Sequence, residues 1–281
     1  MSLFVDNLTH LDASLWCPRR GLIGISWAVD AELDGELGED GMLFDFGEVK
    51  PWIKSRLDDG ADHTLLVPTR APGVTIQECR EGLRLTTRAP YPLELRAPRQ
   101  AFTLLPWAEV RREALAEHLA GELMRRPPPR VSAIRLTLRD EAIDGAAYTY
   151  SHGLRQHAGN CQRIAHGHRS RLHIWRNGHR APDLEARWAA HLADSYLVDG
   201  DDLVSDPDDD PRQLSCAYRA PQGEFRLRLP AERCRVLPSQ TTVERIALWL
   251  AETIAAAEGG RIRVQAFEGI GKGAFAEAGT P

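Results

Sequence analysis

The sequence predicts an α+β protein that contains two tandem copies of one unit. The chain has 281 residues, 43% of them hydrophobic, which is enough for roughly two domains of ~130 residues. The order of predicted strands and helices begins again near Ala146. Two β-β-α-(hairpin)-α-β units are the simplest interpretation, with residues 1–147 in the first unit and residues 148–281 in the second.

Two predicted strands begin the first unit. Residues 3–16 and 22–33 are rich in β-branched and apolar side chains, and a short turn containing proline and glycine separates them. Residues 48–57 have apolar side chains at helical spacing, which predicts a short amphipathic helix. The sequence Asp-Asp-Gly ends this helix, and Asp62 and His63 follow it directly.

The remainder of the first unit contains a hairpin, a helix and a strand. Alternating stretches with Pro-rich turns between residues 74 and 105 predict the hairpin. Residues 108–124 form the predicted helix, which Pro127 and its proline neighbours terminate. Residues 131–138 alternate in polarity as a strand does.

Particular residues recur between the two halves. Cys17 stands seven residues before Gly24, and Cys161 stands six before Gly167. Ile23 and Ile25 therefore occupy the places of His166 and His168. The other matches are Leu8-Thr9-His10 with Tyr150-Ser151-His152, Leu105-Pro106 with Leu237-Pro238, and Asp140 or Glu141 with Glu268. One copy thus has apolar residues where the other has candidate metal ligands.

The second unit contains a cluster of histidines around one cysteine. If a strand runs through His166 and His168, its period of two places both imidazoles on one face. An antiparallel strand ending at His152 supplies a third nitrogen. Three imidazoles with one open position are the ligand set of a catalytic zinc site, and the thiol of Cys161 would lie beside that position.

Composition excludes several other functions. The formal net charge of −5 gives no general attraction to nucleic acid or anionic membranes. The acidic segment at residues 199–210 is interpreted as a solvated loop. No stretch approaches ~20 apolar residues and the N-terminus does not resemble a signal peptide, so we expect a cytoplasmic protein without a membrane span. Five scattered cysteines indicate neither a disulfide framework nor a thiolate zinc site.

These residues together resemble the 6-pyruvoyl- and 6-carboxy-tetrahydropterin synthase family. Its unit is the tunnelling fold, an antiparallel sheet backed by two helices, and units join into barrels. The resemblance implies that His152, His166 and His168 bind Zn²⁺ and that Cys161 is the active-site cysteine. It also implies that Glu268, on the last strand, anchors the pterin ring.

The resemblance extends to a catalytic pair in the other unit. Asp62 and His63 resemble the family's aspartate and histidine that work with the cysteine, whereas the second unit has Asp194-Ser-Tyr-Leu at that place. Active sites in this family lie between neighbouring subunits. The resemblance therefore implies a site that takes zinc and thiol from one unit and its Asp-His pair from another.

The implied activity is that of a zinc-dependent lyase. The substrate is 7,8-dihydroneopterin triphosphate, which loses triphosphate to give 6-carboxy- or 6-pyruvoyl-tetrahydropterin. Four residues separate Cys161 from His166, a spacing that does not select the product, although the carboxy-forming reaction of deazapurine (queuosine) biosynthesis is favoured. The alternatives are a pterin- or purine-binding protein without turnover and a hydrolase that uses the three-histidine zinc. We expect a homo-oligomer, a dimer or trimer of two-unit chains.

Overall fold

A computed structural model describes residues 1–205 and 210–280. The middle of the acidic segment, residues 206–209, lies outside the described residues. Within the described part, Asp199 and Asp202 are buried, and Asp202 pairs with Arg155 at 2.7 Å. The prediction that this segment is a solvated loop is therefore wrong for these two aspartates.

The first half of the chain contains eight strands and two helices among its described residues. The strands are β1 Ser2–Cys17, β2 Gly21–Gly35, β3 Leu65–Pro68, β4 Thr75–Cys79, β5 Gly82–Thr87, β6 Leu93–Ala97, β7 Phe102–Leu105 and β8 Val131–Asp140. The helices are α1 Phe46–Asp59 and α2 Arg112–Leu123. Asp45 caps α1 by accepting a hydrogen bond from the backbone N–H of Gly47.

The second half repeats this order of elements, with one short additional strand near its start and another at its end. Its strands are β9 Ala147–His152, β10 His166–Arg176, β11 His179–Arg180, β12 Ser195–Asp199, β13 Leu203–Val204, β14 Gln213–Ala220, β15 Gly223–Pro230, β16 Cys234–Leu237, β17 Ile262–Phe267 and β18 Gly273–Ala278. The helices are α3 Pro182–Leu192 and α4 Val243–Glu258.

Each half forms one main sheet with the same strand order. The first sheet runs β7-β3-β1-β2-β8, and the second runs β16-β12-β9-β10-β17-β18. The predicted α+β class is confirmed, since apolar residues of α1 and α2 pack with the first sheet and those of α3 and α4 pack with the second. The sheets are mixed rather than antiparallel throughout, because β3 pairs in parallel with β1 and β7, as β12 does with β9 and β16.

The additional hairpins of the two halves join in a third sheet, with the order β13-β14-β15-β6-β5-β4. The pairing of β15 with β6 links the halves through backbone hydrogen bonds. Leu85 and Leu95 from the first half and Leu227 from the second lie in the apolar core beneath this sheet. The pairing therefore covers the edge of β6 and the edge of β15, each of which would be exposed without the other.

The two main sheets meet at a centre of approximate twofold symmetry. The hydroxyls of Ser14 and Ser151 lie 2.6 Å apart, and Gly24 lies against Gly167. Ser14 pairs with Gly24 in the first sheet, and Ser151 pairs with Gly167 in the second. A side chain at either glycine would collide with the backbone carbonyl of Tyr150. Glycine is therefore required at both positions for this close approach.

This register corrects one match made from the sequence. Leu15 pairs with Ile23, as His152 pairs with His166. The counterpart of His152 is therefore Leu15, and not His10, which pairs with Ala28. None of the helices among the described residues is both long and apolar enough to span a membrane.

Candidate metal and catalytic site

Three histidine side chains converge in the second half of the chain. His152 ends β9, His166 begins β10, and His168 follows two residues later on the same face. Their side chains are at most 1% exposed, and one ring nitrogen of each lies within 4.8 Å of the others. The Nε2 atoms of all three have no hydrogen-bond partner among the described residues.

The other ring nitrogen of His152 and of His166 lies at hydrogen-bond distance from a backbone carbonyl oxygen. The Nδ1 atom of His152 lies 3.0 Å from the carbonyl oxygen of Thr241, and that of His166 lies 2.9 Å from the carbonyl oxygen of Arg163. The Nδ1 atom of His168 lies 3.3 Å from a carboxylate oxygen of Asp12. For His152 and His166, the carbonyl oxygens at these positions favour the tautomer that leaves Nε2 free to bind a metal.

These residues fit a zinc ion. Buried polar atoms without partners are costly, so three unpartnered Nε2 atoms at one point indicate a common ligand. Burial, and secondarily the neighbouring histidines, hold the pKa values of His152 and His166 well below the ordinary range. Both imidazoles are therefore neutral, as metal coordination requires.

A second group of side chains lies directly beside the histidines. One ligand-type atom each of His63, Cys161 and His166 lies within 4.8 Å of the others, and the rings of His63 and His166 are 5.2 Å apart. Asp62 hydrogen-bonds to Nδ1 of His63 through one carboxylate oxygen. Its other oxygen accepts the backbone N–H of Asp12 at 2.9 Å. The carboxylate of Asp62, the imidazole of His63 and the thiol of Cys161 thus lie in sequence, each beside the next.

The charge of His63 is set by these partners. Burial lowers its pKa, but the hydrogen bonds with Asp62 and Cys161 outweigh burial and raise the pKa to about 10. His63 is therefore protonated at neutral pH.

The backbone after α1 positions the Asp-His pair. Gly60 ends the helix, and His63 adopts a left-handed conformation with φ of 54°. Its N–H donates to the carbonyl oxygen of Asp12 on β1, at 2.7 Å. A left-handed residue other than glycine is uncommon, although histidine, asparagine and aspartate adopt this conformation more often than other residues. The structure thus brings a pair from the first half to the thiol of the second half within one chain.

Glu268 lies in the turn that follows β17, not on the last strand. Its N–H donates to the carbonyl oxygen of Lys272 at 3.0 Å, and one carboxylate oxygen lies 3.8 Å from Nζ of Lys272. The same ammonium lies 3.6 Å from the carboxylate of Asp12. Lys272 therefore connects Glu268 with the carboxylate that contacts His168.

Sequence reasoning missed Asp12, although it contacts three parts of the site. Its side chain is 4% exposed and accepts a hydrogen bond from Ser26. Burial raises the pKa of Asp12, but the charge and hydrogen bond of His168 together with Lys272 bring it well below the ordinary value. The available signal was one carboxylate inside an apolar strand, between Leu11 and Ala13.

The fold and these side chains define a candidate metal site with a thiol, an imidazole and a carboxylate beside it. Residues 14–149 match the family model of 6-pyruvoyl tetrahydropterin synthase. The resemblance to this family that the sequence predicted is thereby confirmed. The matched segment includes Asp62 and His63, whereas the three histidines and Cys161 lie beyond it.

Solved structures of two synthases are also similar to part of this chain. The 6-pyruvoyl tetrahydropterin synthase of Plasmodium vivax is 18% identical, with a TM-score of 0.41, and the match covers 49% of this chain and 90% of that chain. The synthase of Plasmodium falciparum is 14% identical, with a TM-score of 0.38 and the same coverage. No curated protein matches the sequence.

Proposed function

We propose that this protein is a zinc-dependent lyase that converts 7,8-dihydroneopterin triphosphate to 6-carboxy- or 6-pyruvoyl-tetrahydropterin with release of triphosphate. The main support is one observation: three histidine nitrogens without hydrogen-bond partners lie next to the contacting side chains of Cys161, His63 and Asp62. The match of residues 14–149 to the synthase family supports the choice of a pterin substrate. The carboxy-forming reaction remains the favoured product route.

In this proposal His152, His166 and His168 hold the zinc ion. When bound, zinc would supply Lewis-acid polarisation of substrate side-chain oxygens. The backbone carbonyls of Thr241 and Arg163 hold two of these imidazoles in the binding tautomer.

Cys161 and His63 perform the proton transfers. The Cys161 thiolate removes a proton from a substrate side-chain carbon, and protonated His63 returns a proton from its own side of the pocket. Asp62 keeps the imidazole oriented and charged through its hydrogen bond to Nδ1. A thiolate and an imidazolium in contact provide a base and an acid at the same pH.

Glu268 binds the pterin ring. Its carboxylate accepts hydrogen bonds from the amino and ring N–H groups of the substrate, which fixes the ring relative to Cys161. Lys272 lies between Glu268 and Asp12 and holds the two carboxylates in position beside each other.

We also propose that the chain assembles as a homo-oligomer. Strand β8 has β2 as its neighbour in the first sheet, which leaves its other edge free within the described part of the chain. Sheet edges of this kind are stabilised by pairing with a second chain.

The proposed function is tested by incubating zinc-loaded protein with dihydroneopterin triphosphate and identifying the products by mass. We expect a tetrahydropterin with a carboxy or pyruvoyl side chain and stoichiometric triphosphate. Unchanged substrate in the presence of fully zinc-loaded protein would contradict the proposal.

A further inference from the structure

The histidine site has a counterpart on the other side of the approximate twofold centre. By strand register, Leu15, Ile23 and Ile25 occupy the positions of His152, His166 and His168. These three apolar side chains cannot bind a metal.

The counterparts continue outside the two central strands. Asp194 corresponds to His63, since both residues are left-handed, with φ of 56° and 54°. The N–H of Asp194 donates to the carbonyl oxygen of Thr149, as that of His63 donates to Asp12. Val29 and Leu172 occupy corresponding positions on β2 and β10, and they pair with Leu138 and Ala266 respectively. Asp140 and Glu268 each lie two residues after these partners, so they also correspond.

These counterpart residues line a cavity of about 620 Å³, here called the mate cavity. Leu15, Ile23, Ile25, Arg111 and Arg169 are among the residues that line it. Its volume lies within the range of roughly 300–1,000 Å³ that is typical of small-molecule sites. The duplication has therefore kept a pocket where it has not kept the metal ligands.

Positive charge is available at the same cavity. Arg20 and Arg112 are already paired, with Asp194 at 2.6 Å and with Asp140 at 2.5 Å. Arg169 has no carboxylate partner in the described part of the chain; its guanidinium donates to the carbonyl oxygen of Glu141 at 3.0 Å. Arg111 lies 3.9 Å from its nearest carboxylate, that of Glu109.

The N-terminus of α2 also lies at the mate cavity, where the carboxylate of Glu113 in the first turn offsets part of the positive charge. Arg111 precedes the helix, and its side chain does not cap the exposed backbone N–H groups. Uncapped N–H groups and the helix dipole favour an anion at this point. Arginines suit planar carboxylate or phosphate groups because they donate two parallel hydrogen bonds.

We propose that the mate cavity is a non-catalytic binding site for a small organic anion with a flat apolar body. The body packs on Leu15, Ile23 and Ile25, and the anionic group contacts Arg169 and Arg111. The site has neither the metal ligands nor the thiol of the histidine site, so it binds its ligand without transforming it.

The experiment uses the zinc-loaded full chain and titrates it calorimetrically with 2-naphthoate, an aromatic carboxylate, and with inorganic phosphate. We expect 2-naphthoate to bind at least about tenfold more tightly than phosphate, because only the former buries apolar surface. Equal affinities, or no binding of 2-naphthoate, would overturn the proposal.

Variants locate the bound molecule. Arg169→Ala and Arg111→Ala should each weaken 2-naphthoate binding about tenfold through loss of a charge-assisted contact. Arg125→Ala, a matched truncation beyond the other end of α2, and Cys161→Ala in the histidine site should leave the affinity unchanged. Circular dichroism confirms folding of each variant. Unchanged affinity in both arginine variants, or loss of binding in Cys161→Ala, would contradict the assignment whether or not the protein is a lyase.

Discussion

The histidine site and the mate cavity are built on the same backbone but have different chemistry. In the histidine site, three buried imidazoles leave unpartnered Nε2 atoms beside a thiol. In the mate cavity, Leu15, Ile23 and Ile25 occupy the corresponding strand positions, and Arg169 lies nearby. The two regions thus share strand pairing and a left-handed turn while their side chains at corresponding positions differ.

The largest expected difference between the two regions concerns metal binding. His166→Ala removes one of the three proposed zinc ligands, so zinc affinity should fall about a hundredfold or more and turnover about a thousandfold. Ile23→Val, at the corresponding position, should retain full zinc content and cost only about 1 kcal/mol in unfolding free energy. Elemental analysis after dialysis measures both. Full zinc retention in His166→Ala would show that the ligands are assigned incorrectly.

The second difference is the thiol. Cys161→Ala should abolish turnover yet retain zinc, because in the proposed mechanism the thiol acts as a base and is not one of the three proposed ligands. Cys79→Ala, on the β4–β5 hairpin, is the control and should remain active. The comparison is made from the initial rate and metal content of each variant. A fully active Cys161→Ala protein would instead favour a hydrolase that uses zinc-activated water.

A third difference is the proton held by His63, whose counterpart Asp194 is an acid. The pKa of His63 is raised from 6.5 to about 10, so the folded chain binds this proton more tightly than the unfolded chain. Its contribution to stability is fully present below pH 6.5 and is lost as the pH rises through about 10.

Asp62→Asn should remove most of that contribution. Between pH 6.5 and 10, the unfolding free energy of the wild type should fall by about 1–3 kcal/mol more than that of the variant. This range is reduced for solvent screening of the partly exposed pair. Denaturant unfolding at several pH values measures the difference. Parallel pH profiles for the two proteins would show that Asp62 does not hold the His63 proton.

The smallest effect is expected at the centre that the two regions share. Ser151→Ala leaves the buried hydroxyl of Ser14 without its partner at 2.6 Å, which should cost about 1–2 kcal/mol. The double variant Ser14→Ala with Ser151→Ala removes both hydroxyls and should be closer to wild type in unfolding free energy. Additive losses in a double-mutant cycle would mean that the two serines do not interact.

Much of the fold was predictable because its signals are local. Apolar alternation and helical spacing predicted the order of strands and helices, and the His-Gly-His sequence placed two imidazoles on one strand face. The start of α2 was predicted at residue 108, whereas the helix begins at Arg112. Propensity defines helix ends weakly when no capping side chain is present.

Features that depend on pairing across the chain were not predictable. Strand register decided that Leu15, rather than His10, corresponds to His152. Asp12 gains its role because β1 of one half lies against β10 of the other, which no local pattern in the sequence indicates. The union of both sets of hairpins in a third sheet is likewise a long-range contact.

The zinc content of the purified protein tests the central claim most directly. The histidine site has a complete ligand set, whereas the corresponding position in the mate cavity has none. The two candidate ligand groups of the histidine site share His166, so they cannot each hold a separate ion. The account therefore predicts one zinc ion per chain. Removal of zinc by a chelator should abolish turnover, and readdition should restore it. Two zinc ions per chain, or a fully active protein without metal, would contradict the account.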